Sequence, residues 1–219
     1  MNRLVRNRVA RKVATDNHAL VYRIAALLLD YPTAELLAEL PVLRAAARSL
    51  PAQFRDPLGR LIDHLATGDL QELAAQYVET FDHRRRHCLY LTYYSYGDTR
   101  RRGVALVQFK QAYRAHGLEL GAQELPDHLC VLLEFTATGD REAGVRLLLE
   151  HRAGVELLRL ALLDSGSPYA DALIAISATL PPLSGPDREA VLRLAAEGPP
   201  GEEVGLEPYG TAEYMEMRT

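Results

Sequence analysis

His18-Ala19-Leu20-Val21-Tyr22-Arg23-Ile24-Ala25-Ala26-Leu27-Leu28-Leu29 holds one permanent charge and is apolar on almost every side. A helix of that kind buries all its faces, so it belongs at the centre of a helical assembly. Tyr31-Pro32 stops it, because a residue before proline is driven out of the helical region. Thr33 then caps a second helix to about Ser49. A third runs from about Gln53 to Thr67. Gly68 ends it, and Asp69-Leu70-Gln71-Glu72 reads as a capping box for a fourth. Asp98 caps a fifth that closes at His116-Gly117. Pro126 suits the first turn of a sixth ending near Thr138. Two more follow Asp140 with a break near Gly154, another opens at Ser167-Pro168 and stops at Pro181-Pro182, and Ser184 with Asp187 opens the last. Leu89–Tyr96 alone has strand-like composition, and a lone strand would have no partner. The expected fold is all-α, a single-domain helical bundle of nine to ten helices over residues 16–197.

Leu, Ala, Arg and Glu dominate a chain of 219 residues that is 48% hydrophobic and 25% charged, ordinary for a globular protein with one substantial core. The net charge of −4 conceals an asymmetry. Arg3, Arg6, Arg8, Arg11 and Lys12 make the start basic, and residues 198–219 set five glutamates against Arg218, with glycines and prolines between them. Residues 1–15 and 198–219 are therefore expected to be flexible, one basic and the other acidic. The acidic body between them argues against general nucleic-acid binding. Cys88 and Cys130 form no CxxC pair and fit a reducing compartment. No signal peptide is visible, and the longest apolar run, Ala25–Leu29, is too short to span a bilayer, so a cytoplasmic location without membrane insertion is expected.

The information is concentrated further on. Tyr77-Val78-Glu79-Thr80-Phe81 leads into Asp82-His83-Arg84-Arg85-Arg86. Leu89-Tyr90-Leu91-Thr92-Tyr93-Tyr94 follows, then Gly97-Asp98-Thr99-Arg100-Arg101-Arg102-Gly103, and finally Glu124-Leu125-Pro126-Asp127-His128-Leu129. This order resembles the NarJ branch of the TorD/DmsD/NarJ superfamily of redox-enzyme maturation chaperones. Tyr77 and Phe81 match its first motif, with Thr80 where leucine is usual. Glu124, Pro126, Asp127 and His128 match its second.

The resemblance implies an all-helical, system-specific chaperone and not an enzyme. Such a protein binds the N-terminus of the apo catalytic (alpha) subunit of respiratory nitrate reductase in the cytoplasm. It holds that subunit for molybdenum-cofactor and iron–sulfur insertion before membrane attachment. The molybdenum-cofactor insertion machinery is a further partner under this reading, and no cofactor is stably held. A chaperone of another molybdoenzyme, of sulfoxide or N-oxide reductase type, is the sister alternative. A helical nucleic-acid binder rich in Arg and Tyr is a more distant one.

The residue chemistry is compatible with peptide binding. Among only 11 tyrosines and 4 phenylalanines, Tyr77, Phe81, Tyr90, Tyr93, Tyr94 and Tyr96 fall within twenty positions. Aromatic anchors with a polar rim suit a groove that accepts an amphipathic helix. Tyr77 and Phe81, four apart, serve equally well as core, whereas Tyr93, Tyr94 and Tyr96, beside a glycine and among charges, are expected nearer the surface. Arg84, Arg85, Arg86, Arg100, Arg101 and Arg102 flank the run. One reading has them meeting client carboxylates or, transiently, the phosphates of molybdopterin guanine dinucleotide. The other pairs them with Glu79, Asp82 and Asp98. His83, His87 and Cys88 resemble metal ligands, but no third ligand has the right spacing, and no metal site is assigned. Asp127 and His128, about 100° apart on a helix, cannot easily serve one atom as acid and base. A polar hinge fits better, with Asp127 favoured by the helix dipole and Glu124 accepting from the first arginine block.

Overall fold

The structure is a computed structural model and describes residues 17–121 and 124–197; the basic start and the acidic tail fall outside them. Helix α1 covers 17–28, followed by α2 (Ala34–Arg48), α3 (Ala52–Thr67) and α4 (Leu70–Phe81). A single 3-10 turn (Arg85–His87) leads to α5 (Leu91–Tyr96) and α6 (Arg100–Ala115). After a loop come α7 (Leu129–Thr138), α8 (Arg141–Glu150), α9 (Arg152–Asp164), α10 (Ala170–Thr179) and α11 (Gly185–Glu197). The described residues form no strand, and the fold is all-α as expected, with α5 added to the ten helices read from the sequence.

The α1 run is central. Val21, Tyr22, Ile24, Ala25, Leu28 and Leu29 are sealed from solvent, and the Tyr22 hydroxyl meets Thr179 Oγ1 on α10 at 2.7 Å. Around it α10 packs on α3 and α9, α2 on α3, α7 on α8, and α9 on α5, α11 and the 3-10 turn. One continuous hydrophobic cluster links Leu20 and Phe54 to Tyr169 and Ile176. At ~1.5–3 kcal/mol for each large apolar side chain fully buried, this cluster outweighs any polar contact in the molecule.

Several caps are where the sequence puts them. Thr33 Oγ1 accepts from Leu36 N–H, Asp69 from Gln71 and Glu72, and Asp140 from Ala143. Ser184 and Asp187 bond reciprocally at the start of α11. Three expectations are corrected. Asp98 does not cap α6; Thr99 holds that position, and Asp98 instead pairs with Arg102 one turn on. Pro126 and Asp127 lie in the turn before α7 and not inside its first turn. The break expected near Gly154 falls at His151, while Gly154 sits within α9, at a position where a Cβ would come within 2.9 Å of the Tyr94 ring.

Candidate functional site

Cys88-Leu89-Tyr90 is extended, and it ends in one antiparallel bridge between Tyr90 and His128. Leu91 N–H donates to the Asp127 carbonyl (3.1 Å) and Leu129 N–H to the Leu89 carbonyl (2.8 Å). The segment of strand-like composition thus finds its partner in the second sequence motif, and only then turns into α5. Asp127 is fully buried and fixes this junction. Its Oδ2 accepts from Thr92 N–H (3.2 Å), the Thr92 hydroxyl (2.5 Å) and Arg102 Nη2 (3.5 Å). Arg102 also donates through Nε to Thr92 Oγ1, pairs with Asp98 and lies 5.5 Å above the Tyr90 ring centroid. Asp127 therefore accepts from the backbone N–H of Thr92 in the first turn of α5 and from two side chains, and it does not sit in the first turn of α7, where the sequence reading placed it. His128 points elsewhere, its ring 5.1 Å from that of Tyr90, and burial lowers its pKa.

The candidate residues divide by exposure. Tyr77 and Phe81 are buried against Tyr169, with centroids at 5.8 and 5.0 Å, and the Tyr77 hydroxyl donates to the Leu29 carbonyl. Thr80 is buried beside them, and its carbonyl faces His87 Nδ1 at 2.9 Å. Tyr94 is only 3% exposed, contrary to the surface position expected for it; its hydroxyl contacts the carbonyls of Arg86 and Cys88. Tyr90, Tyr93 and Tyr96 are half-buried. Arg84 pairs with Glu79, and Arg102 is built into the Asp127 junction. Arg85, Arg86, Arg100 and Arg101 are exposed and in no ion pair among the described residues. Arg84, Arg85 and Arg86 line a cleft of about 330 Å3 with His87, Ala161, Asp164 and Ser165. Glu124, expected to meet this block, does not reach it. His83 bonds to Glu79, whereas His87 is buried, so the two share no ligand face; no cluster of three metal-type ligands occurs among the described residues.

A larger cleft, about 500 Å3, opens between α1, the end of α6 and α7. Its floor is apolar, from Ala26 and Leu27 through Leu120 and Val131 to Phe135. Tyr113 braces that floor by donating to the Pro126 carbonyl at 2.7 Å and packing on Phe135 at 4.7 Å. Asp30, Glu119, Glu124 and Glu134 form the rim, against the single cation Arg23, which pairs with Glu134. Cys130 lies in the wall, where burial drives its thiol pKa upward. Apart from Glu124, these residues carry no local signal. Their carboxylates stand up to 104 positions apart, from Asp30 to Glu134, and only the packing of α7 beside α1 brings them together.

Residues 47–175 match the family model described as nitrate reductase delta subunit. The nitrate reductase-like protein NarX of Mycobacterium tuberculosis (strain ATCC 25618 / H37Rv) is 40% identical over 159 residues, which are 73% of this chain and 24% of that protein. The probable nitrate reductase molybdenum cofactor assembly chaperone NarJ of Bacillus subtilis (strain 168) is 31% identical over 167 residues, 76% of this chain and 91% of that one. The nitrate reductase molybdenum cofactor assembly chaperone NarJ of Escherichia coli (strain K12) is 36% identical over 150 residues, 67% of this chain and 64% of that one. The chain thus spans about a quarter of NarX and nearly all of the Bacillus protein.

Proposed function

The chain belongs to the nitrate reductase delta subunit family, and from that premise we propose that it is an assembly chaperone for a nitrate reductase and not a catalyst. It acts in the cytoplasm on the apo catalytic subunit, whose N-terminal segment it holds while molybdenum cofactor and iron–sulfur clusters are inserted. No helix among the described residues is long and apolar enough to cross a membrane. The observation that carries the peptide-binding part is the cleft between α1 and α7. An apolar floor under a carboxylate rim accepts an amphipathic helix that presents apolar anchors and basic flanks. Burial of those anchors supplies affinity, and the rim supplies orientation and encounter rate.

The exposed arginines Arg85, Arg86, Arg100 and Arg101 contact the body of the client in this proposal. The small cleft beside Arg84, Arg85 and Arg86 also takes in the carboxylate of Asp164. A transient contact with molybdopterin guanine dinucleotide, carried as cargo, would engage its phosphates through these arginines. The test is calorimetric titration of a synthetic N-terminal peptide of the nitrate reductase catalytic subunit into the protein. Binding at about micromolar Kd with a negative heat-capacity change is expected. Absence of binding by that peptide, with binding by the leader of a sulfoxide or N-oxide reductase, moves the client to the sister class.

A further inference from the structure

The large cleft suits apolar anchors flanked by cations, and the same molecule displays such a surface elsewhere. On α6, Arg100, Val104, Val107, Gln111 and Arg114 follow at steps of four and three, so they share one face about 21 Å long. All of them are exposed, Val104 and Val107 at 69% and 49%. Arg101 and Lys110 flank the stripe, and α6 holds no acidic residue. Of its five cations, only Arg102 is in an ion pair among the described residues. The cleft is the counterpart. Asp30, Glu119, Glu124 and Glu134 surround its apolar floor, and Arg23 is the one cation lining it.

Helix α6 cannot turn this face into its own cleft. Ala105, Phe109 and Tyr113 are buried on the opposite side of the helix, and the Tyr113 hydroxyl is bonded to the Pro126 carbonyl. The match is therefore open only to a second molecule. Helix α6 takes part on both sides of it, since Tyr113 in its last turns also lines the cleft. A two-fold axis then lets each copy give its valine face and receive the other's, which closes a pair and leaves no open filament.

We propose that two copies of the chain pair in this way, the basic face of α6 in each lying over the acid-rimmed cleft of the other. The pairing stands on the two surfaces themselves; its consequence for the client rests on the reading of the cleft as the leader site. Contact through two valines and a few exposed ion pairs is small and screened by salt, so a Kd on the order of 0.1 mM is expected. At a few micromolar most molecules are single and the cleft stands open. At high local concentration the pair covers both the apolar floor and the exposed valines, and a leader that binds more tightly splits it.

The experiment is sedimentation equilibrium of the full-length chain at about 5 and 500 µM in about 50 mM salt. The mean mass should rise from near one chain toward two, and fall back to one in about 500 mM salt. A chain carrying E119K, E124K and E134K and a chain carrying R100E, K110E and R114E should each stay single. Their equimolar mixture should pair again, because each reversed surface then meets its complement; circular dichroism first checks that both variants keep the parental helicity. A parent that stays single or grows past two chains, pairing indifferent to salt, or a mixture of folded variants that stays single overturns the proposal. Adding the reductase leader peptide should return the pairs to single chains. A leader that binds while the pairs persist, or that binds no chain at all, overturns the reading of the cleft as the leader site and leaves the pairing standing.

Discussion

Asp127 shows how far one carboxylate can govern its surroundings. It is sealed from solvent, and three donors from α5 and α6 converge on a single oxygen. Removing a partner from a buried charged network strands the others, so Asp127→Ala should cost about 3 kcal/mol in denaturant unfolding. Asp127→Asn, which preserves shape but halves the acceptor capacity, should cost less. If both variants melt like the parent, the junction is not held by this residue. His151 makes a second prediction at this scale. It is buried beside Phe109, its Nδ1 has no hydrogen-bond partner among the described residues, and burial lowers its pKa from the ordinary 6.5. Burial shifts His128 in the same direction. Near and below pH 6.5 the unfolded rings bind more protons than the folded ones, so their contribution is complete above that pH and declines as pH falls, by at most about 1.4 kcal/mol per pH unit for each ring. Thermal melts should therefore drop from pH 7.5 to 5.5, and His151→Phe should flatten part of that drop. An unchanged slope in the variant would remove His151 from the account.

Between elements, the decisive contacts are close approaches and one buried ionic lock. Gly154 lets α9 lie against the ring of Tyr94, where a Cβ would stand 2.9 Å from the ring. Gly154→Ala gains helix propensity worth about 1 kcal/mol, yet the clash with a fixed ring in a packed site should outweigh it, leaving the variant about 1–2 kcal/mol less stable by chemical denaturation. A more stable variant would show that α5 can move away. Glu156 joins α9 to α10 by accepting from Arg152 (2.9 Å), Arg159 (2.7 Å) and Ser177 (2.6 Å). Burial alone would raise its pKa, but Ser177 and Arg159 overcome that and hold it low. These features explain what the sequence could reveal. Caps and stops are local chemistry, so Thr33, Asp69, Gly68, Asp140 and Ser184 were legible. The α1 run was legible for a related reason, since its apolar character on almost every side is itself a property of consecutive residues. Gly154 reads as a breaker because a glycine's neighbour across space is not encoded beside it. Leu89–Tyr96 reads as a strand without a partner because its one bridge goes to His128, 38 positions beyond Tyr90. The motif residues were found, but Tyr77, Phe81 and Tyr94 proved to be interior. The cleft stayed hidden because α1, α6 and α7 meet there only after folding.

At the level of the whole molecule, two surfaces carry opposite charge. The large cleft carries carboxylates, whereas α6 carries Arg100, Arg101, Arg102, Lys110 and Arg114 and no acidic residue. Val104 and Val107 stand out from that helix at 69% and 49% exposure. A client leader and a client body need not use the same surface, and opposite signs let the two contacts be separated by mutation. E124K with E134K should weaken leader-peptide binding about tenfold or more, because the rim then repels basic flanks and Arg23 loses its partner. R100E with R101E should leave leader affinity within about twofold, since neither side chain lines the cleft and charges outside a contact are screened by salt. If the proposed function is right and α6 holds the body of the client, the second pair should nonetheless lower nitrate reductase activity in cells whose reductase is assembled with this chain. The crossed result, in which R100E with R101E abolishes leader binding and the cleft variant does not, would place the leader on the Arg–Tyr surface that the sequence first singled out. Raising salt from about 50 to 300 mM should weaken the leader complex in either case, but the loss disappears only in the variant whose charges the leader actually meets.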